Sequence, residues 1–99
     1  MYKFLITIEL QPGTRDLILA RAPEVQRQTR AEPGCVAYDF YVCTDQPDRL
    51  VFVESFTSVQ AHQWHCEQPY TRDFIQFHEA FHTSLTFELI QQAYERSEE

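Results

Sequence analysis

The 99-residue sequence predicts an α+β domain of element order β-α-β-β-α-β, on three observations. Apolar residues alternate with more polar ones over the first ten positions. The apolar period turns helical after Thr14 and again after Ser58. Between those helical segments, β-branched and aromatic residues gather into two runs separated by a turn.

Tyr2, Phe4, Ile6, Ile8 and Leu10 alternate with Lys3, Leu5, Thr7 and Glu9, the period-two pattern of a half-buried strand. The turn Gln11-Pro12-Gly13-Thr14 ends it, and Thr14 is placed to cap a helix running to about Arg30. Leu17, Ala20 and Val25 form the expected inner stripe of that helix, with a kink expected at Pro23. Glu32-Pro33-Gly34 closes it. Two strands follow, CVAYDFYVC (35–43) and RLVFVESF (49–56), joined by the turn Thr44-Asp45-Gln46-Pro47-Asp48. Tyr38 and Tyr41 fall on opposite faces of their strand, so at most one can face a pocket.

From Ser58 the pattern is helical, and Pro69 divides it into a short helix and a longer one. In the second, Tyr70, Phe74, Phe77, His78 and Phe81 follow i, i+4, i+7, i+8, i+11, a core-facing stripe. LTFELI (85–90) returns to a strand. The segment 1–94 reads as one domain, and ERSEE (95–99) as a charged tail.

This order is the split βαβ of ferredoxin-like folds: a four-stranded antiparallel sheet with helices on one face. Leu5, Val51 and Val53 then put apolar side chains on the other face. A homodimer in which two sheets pack face to face is the expected way to cover them.

Composition narrows the function. Eight Lys+Arg against 15 Asp+Glu give a net charge of −7, opposite to the basic stripe of a nucleic-acid binder. No apolar run approaches membrane-spanning length, and MYKFLITIEL carries Lys3 and Glu9 where a signal segment needs an unbroken apolar stretch. Three cysteines make no disulfide framework, and Cys35 and Cys43 lie about 26 Å apart along one strand, so reduced thiols and a cytoplasmic protein are expected. With only Gly13 and Gly34, both at turns, no phosphate-cradling loop exists, and no tightly bound flavin, haem or metal is expected.

The segment EPGCVAYDFYVCTDQPDRLVFVESFTSVQAHQWHCEQPYTRDF resembles the antibiotic biosynthesis monooxygenase domains, small dimeric α+β barrel proteins. Glu32-Pro33-Gly34-Cys35 is similar to that family's turn, and Pro47 with Arg49 to its hairpin. Glu54 matches the acid ending its third strand, and Ala61, His65 and Pro69 match the following short helix. Phe56 stands where the family usually has Trp. The chain contains no Asn, so the Asn-Trp-His set of the haem-degrading members cannot form. The resemblance implies oxygen chemistry on polycyclic phenols or quinols without flavin, haem or metal.

The stretch HQWHCEQPY (62–70) then invites three readings. His62-x-x-His65 and His78-x-x-x-His82 have helical spacings able to chelate, with Cys66 and Glu67 nearby. Yet His62 with Cys66 and His65 with Pro69 lie on adjacent ridges, and His78 belongs to the stripe facing the sheet. A Cys66–His62 nucleophile pair has no oxyanion site to serve it. The preferred reading is a pocket built around His65, with His62 and Cys66 on its outer flank. His65 and Glu54 are the expected catalytic pair, His65 as base and Glu54 orienting it. Phe52, Phe56, Trp64, Tyr70, Phe77, His78 and Phe81 are the expected substrate contacts; whether His65 or His78 faces the pocket stays open. Three functions fit: a cofactor-independent monooxygenase taking a quinol or polyphenol and dioxygen, an acid/base isomerase or lyase on a small carbonyl compound, or a non-catalytic dimer binding a small apolar ligand.

Overall fold

A computed structural model describes residues 1–91. Its elements are β1 (Tyr2–Leu10), α1 (Arg15–Arg30), β2 (Cys35–Cys43), β3 (Gln46–Phe56), α2 (Val59–Glu67), α3 (Pro69–Glu79) and β4 (His82–Ile90). The strands form one antiparallel sheet in the order β2-β3-β1-β4, the ferredoxin-like arrangement. The expected tail, 95–99, lies outside the described residues, as does the end of the expected domain beyond residue 91.

Alternation sets the two faces of the sheet. Phe4, Ile6, Ile8 and Leu10 turn inward from β1, and in register beside them stand Glu54, Phe52 and Leu50 of β3. Tyr38 of β2 joins that inner face while Tyr41 stays 53% exposed on the other. Leu5 and Val53 are cross-strand partners on the opposite face, with Val51 beside Tyr41, and all three aliphatic side chains are only half-buried.

The helices depart from expectation in phase, not in place. On α1 the buried residues are Ile18, Ala22, Val25 and Thr29, and Leu17 and Ala20 face solvent. Three consecutive apolar residues, Leu17-Ile18-Leu19, fit several stripes, and the spacing to Ala22 and Val25 picks Ile18. Pro23 sits exposed inside a helix that continues past it. Thr14 occupies the N-cap position, but its hydroxyl donates back to the Gln11 carbonyl at 2.8 Å instead of capping. The hairpin turn is tighter than its turn-forming residues suggest, because β3 begins at Gln46, paired with Cys43. Helix α3 ends at Glu79, so Phe81 lies beyond it, and β4 begins at His82, three residues before the expected start.

What fixes α2 is local. The Ser58 hydroxyl accepts from the Ala61 amide at 3.1 Å, a capping bond, and Pro69 opens α3 at its first turn, where no amide donor is needed. Gly34 lies directly against Ala61: a Cβ there would collide with the alanine methyl and crowd Thr57 Oγ1 at 3.2 Å. The Thr57 amide donates to the Gly34 carbonyl at 2.9 Å, closing the seam.

Gly34→Ala should therefore destabilise the fold by about 1–3 kcal/mol through overpacking. Adding Ala61→Gly should recover part of that loss despite its own helix cost of about 1 kcal/mol. Denaturant melts of the three variants would expose the seam as unimportant if the two changes simply added.

Candidate active site

Between the inner sheet face and helices α2 and α3 lies a cavity of about 380 Å³, within the range of small-molecule pockets. Ile6, Phe52, Phe74 and Phe87 supply much of its apolar wall. All four histidines of the chain line it, together with Glu54, Glu79, Cys66, Tyr38 and Thr71. No Lys or Arg is among the described residues that line it.

At one end a buried carboxylate holds a buried imidazole. Glu32, from the turn after α1, places Oε2 2.8 Å from His65 Nδ1, and both side chains are 3% exposed. The same oxygen accepts from the Tyr70 hydroxyl, and Thr71 Oγ1 lies 3.4 Å from the same His65 nitrogen. Glu32 Oε1 has no hydrogen-bond partner. With Nδ1 engaged by a carboxylate, the other ring nitrogen is directed at Glu54, whose Oε1 lies 3.7 Å from Nε2, too long for a hydrogen bond but well within Coulomb range.

Glu54 carries the main electrostatic consequence. Burial, followed by the neighbouring Glu32 charge, pushes its carboxyl from the ordinary 4.5 up to about 7. Tyr38, its direct cross-strand partner, is driven well above the ordinary tyrosine value, chiefly by burial and then by Glu54, and so stays a proton donor. Burial likewise raises Cys66 and lowers His62, which stand 3.5 Å apart at Sγ and Nε2. That pair is a thiol beside a neutral imidazole, the reverse of an activated nucleophile.

The cavity divides the expected contacts. Phe52, Glu54, His65 and His78 line it. Phe56 is fully buried behind it, its ring 5.1 Å from that of His65 and 5.2 Å from that of His62. Tyr70 reaches only the back of the site, through Glu32. Trp64 is 48% exposed on the outer side of α2. Phe77 and Phe81 face a separate surface groove, where the Arg21 guanidinium lies 3.7 Å over the Phe77 ring. A helical stripe is wider than the wall it presents to one cavity, which is why these two aromatics fall outside it.

Corrections run the other way as well. His62 and Cys66 are cavity wall, not outer flank, because the cavity extends past α2 toward β4, where His62 meets Phe4 and Phe87. His65 and His78 both face the cavity, so the two were never alternatives. The partner that orients His65 by a hydrogen bond is Glu32, not Glu54. Its signal in the sequence was a carboxylate within an otherwise turn-forming Glu-Pro-Gly.

A ferredoxin-like sheet with a cavity between its inner face and helices α2 and α3 defines a class of small α+β domains. Within that class the chain belongs to the antibiotic biosynthesis monooxygenase family, whose model matches residues 1–76. A crystal structure of an antibiotic biosynthesis monooxygenase superposes with a TM-score of 0.86 at 26% identity, covering 95% of this chain and 100% of the other. Protein SO0527 from Shewanella oneidensis gives 0.84 at 25% identity, over 92% and 89%. The uncharacterized protein sll1783 of Synechocystis is 26% identical over 69 residues, 70% of this chain. The chain spans about half the length of that relative, 47% of which is matched.

Glu54 links the site to stability. The folded chain keeps the Glu54 proton to higher pH than the unfolded chain does, so folding stability falls as pH rises from about 4.5 to about 7 and levels off above. Glu54→Gln should abolish this loss, stabilising the chain above pH 7 by up to roughly 3 kcal/mol and matching the parent below about pH 4. Denaturant midpoints across pH test it; parallel curves for the two proteins would rule the assignment out.

Proposed function

We propose that the chain is a monooxygenase that oxidises an electron-rich phenol or quinol with dioxygen, and that its own side chains supply the proton transfer. The observation that carries this reading is Glu54, a buried carboxyl at about 7 facing an apolar cavity, beside a histidine anchored by a second carboxylate. A phenolic hydroxyl titrates near 10, so a base poised near neutrality is the group matched to remove its proton. Glu54 accepts that proton, and His65, held by Glu32, stabilises or relays the charge. The resulting anion gives an electron to dioxygen, and the two radicals combine at ring carbon. One oxygen atom stays on the ring as a carbonyl and the other leaves as water with two substrate hydrogens. The phenol-to-quinone oxidation supplies all four electrons, so no external reductant enters the balance.

The cavity's volume and aromatic walls support a substrate of fused or linked rings, and the lack of Lys and Arg in its described lining favours an uncharged one. The half-buried Leu5, Val51 and Val53, with exposed Tyr41 beside them, support a homodimer joined through the outer sheet face. Such an interface buries about 1,200 Å² or more in total.

Oxygen uptake should appear with some member of a panel of mono- to tricyclic phenols and quinols, rising with pH through about 7 as Glu54 ionises. Glu54→Gln and His65→Ala should each lower turnover at least about 10²-fold with the fold retained. Binding of panel members without turnover in the parent would favour the non-catalytic ligand-binding reading instead.

In sedimentation, the parent should be a dimer and Val51→Glu largely monomeric. A parent that stays monomeric at micromolar concentration would remove the assembly from the proposal.

A further inference from the structure

The end of the cavity away from His65 holds a second pair of polar groups that the proposed proton transfer does not use. His78, in the last turn of α3, and His82, at the first position of β4, meet Nδ1 to Nδ1 at 3.4 Å, a long hydrogen bond between imidazoles. The chain leaves α3 at Ala80, and the Phe81 carbonyl accepts from the Gln11 amide at 2.8 Å, which delivers His82 back onto His78. His78 is buried, its ring edge-on to those of Phe52 and Phe74, and His82 is half-buried. Both line the cavity.

Elementary valence limits what such a pair can offer. A neutral imidazole has one N–H and one bare nitrogen, so a bond between two Nδ1 atoms needs one ring to donate and the other to accept. The donating ring keeps a bare Nε2, and the accepting ring keeps an Nε2–H. Burial, and then the neighbouring His82, lowers His78 to about 4, so its ring is uncharged at neutral pH. The pair therefore presents one acceptor and one donor, and an exchange of tautomers swaps them. Among the described residues neither Nε2 finds a partner, although both rings line the cavity. A polar atom withdrawn from bulk water in this way is matched by a polar atom of whatever fills the cavity.

We propose that His78 and His82 form a hydrogen-bonding subsite for a second oxygen of the cavity's ligand, so that the cavity prefers an aromatic diol, with a hydroxyl at each end of its ring system, over a monophenol of the same size. The inference rests on the reading of the cavity as a phenol site and narrows it. The two polar ends are set apart by the fold: His78 packs on Phe52, and His65 on Phe56, four residues and about 13 Å further along β3. Between them the apolar wall of Ile6, Phe52, Phe74 and Phe87 offers the same surface to a diol and to a monophenol, so discrimination falls to the histidine pair. A neutral pair suits an uncharged hydroxyl and gives no ionic hold on a carboxylate or phosphate. Its two tautomers also let it accept from a hydroxyl or donate to a carbonyl, so it stays satisfied whether the far oxygen belongs to a quinol or a quinone.

The test is calorimetric titration of the full chain under argon with 2,6-dihydroxynaphthalene and with 2-naphthol, which differ by one hydroxyl. The parent should bind the diol about 5–10-fold more tightly. His78→Phe and His82→Phe should each bring that ratio close to one while changing 2-naphthol binding little. Because the ratio compares two ligands on one protein, a general loss of affinity in a variant cancels. In the parent, the ring-nitrogen NMR signals of His78 and His82 should move with the diol and hold with 2-naphthol, a reading that stands even if a variant folds poorly. A parent ratio near one, no saturable binding of the diol, a ratio kept in both variants, or diol-induced shifts at His62 and His65 alone would overturn the subsite. Discrimination without oxygen uptake on admitting air would fail the oxidation and leave the subsite standing; oxidation of both probes with equal affinity would do the reverse.

Discussion

The contact on which the site depends is the buried bond between Glu32 and His65. A carboxylate and an imidazole, both almost fully removed from water, are held there by each other, with the Tyr70 hydroxyl donating to the same carboxylate oxygen. The bond fixes the His65 ring, leaving Nε2 facing Glu54, and it keeps Glu32 near enough to add to the burial that chiefly holds the Glu54 proton to about 7. Remove either partner and the other is left buried without its main support, so the orientation of α2, the charge of the cavity and the poise of Glu54 all change together.

That bond requires the turn after α1 and the last turn of α2 to meet closely, and backbone chemistry arranges it. Gly34 lets the turn lie against Ala61, Ser58 starts α2 at a defined residue, and Pro69 ends its continuation. None of these residues touches the cavity, yet together they set where His65 sits. The Glu32–His65 pair is thus held in place by residues that do not line the cavity themselves.

Much of the frame was legible from residue order alone. Strict alternation over β1 and the β-branched runs of β2 and β3 admit one reading, and the shift to a helical period on either side of them then leaves little choice of topology. Helix phase was less legible, because Leu17-Ile18-Leu19 supports more than one stripe. The beginning of β4 was hidden because His82, Thr83 and Ser84 carry no apolar signal, and pairing with β1 decides it. Of the site, Glu54, Phe52 and His65 follow from strand alternation and helix position. Glu32 could not be read the same way: its partner is 33 residues away, and only the packed seam brings them together. Likewise ridge geometry puts His62 on a flank, because spacing along a helix carries no information on how far a cavity extends toward a fourth strand.

That fourth strand has a consequence for how such a chain can diverge. Leu85 and Phe87 form cavity wall while remaining 43% and 49% exposed, whereas the opposite wall, Phe52 and Phe74, is the domain's own core. Side chains with that much water contact contribute less burial energy, so replacing them costs less stability than replacing core aromatics. Ligand preference in this architecture is therefore cheapest to alter from the edge strand: width and depth at positions 85 and 87 can drift through neutral substitutions while the buried pair of acids and its histidine are kept. A lineage can reshape the cavity at that edge without disturbing the Glu32–His65 contact.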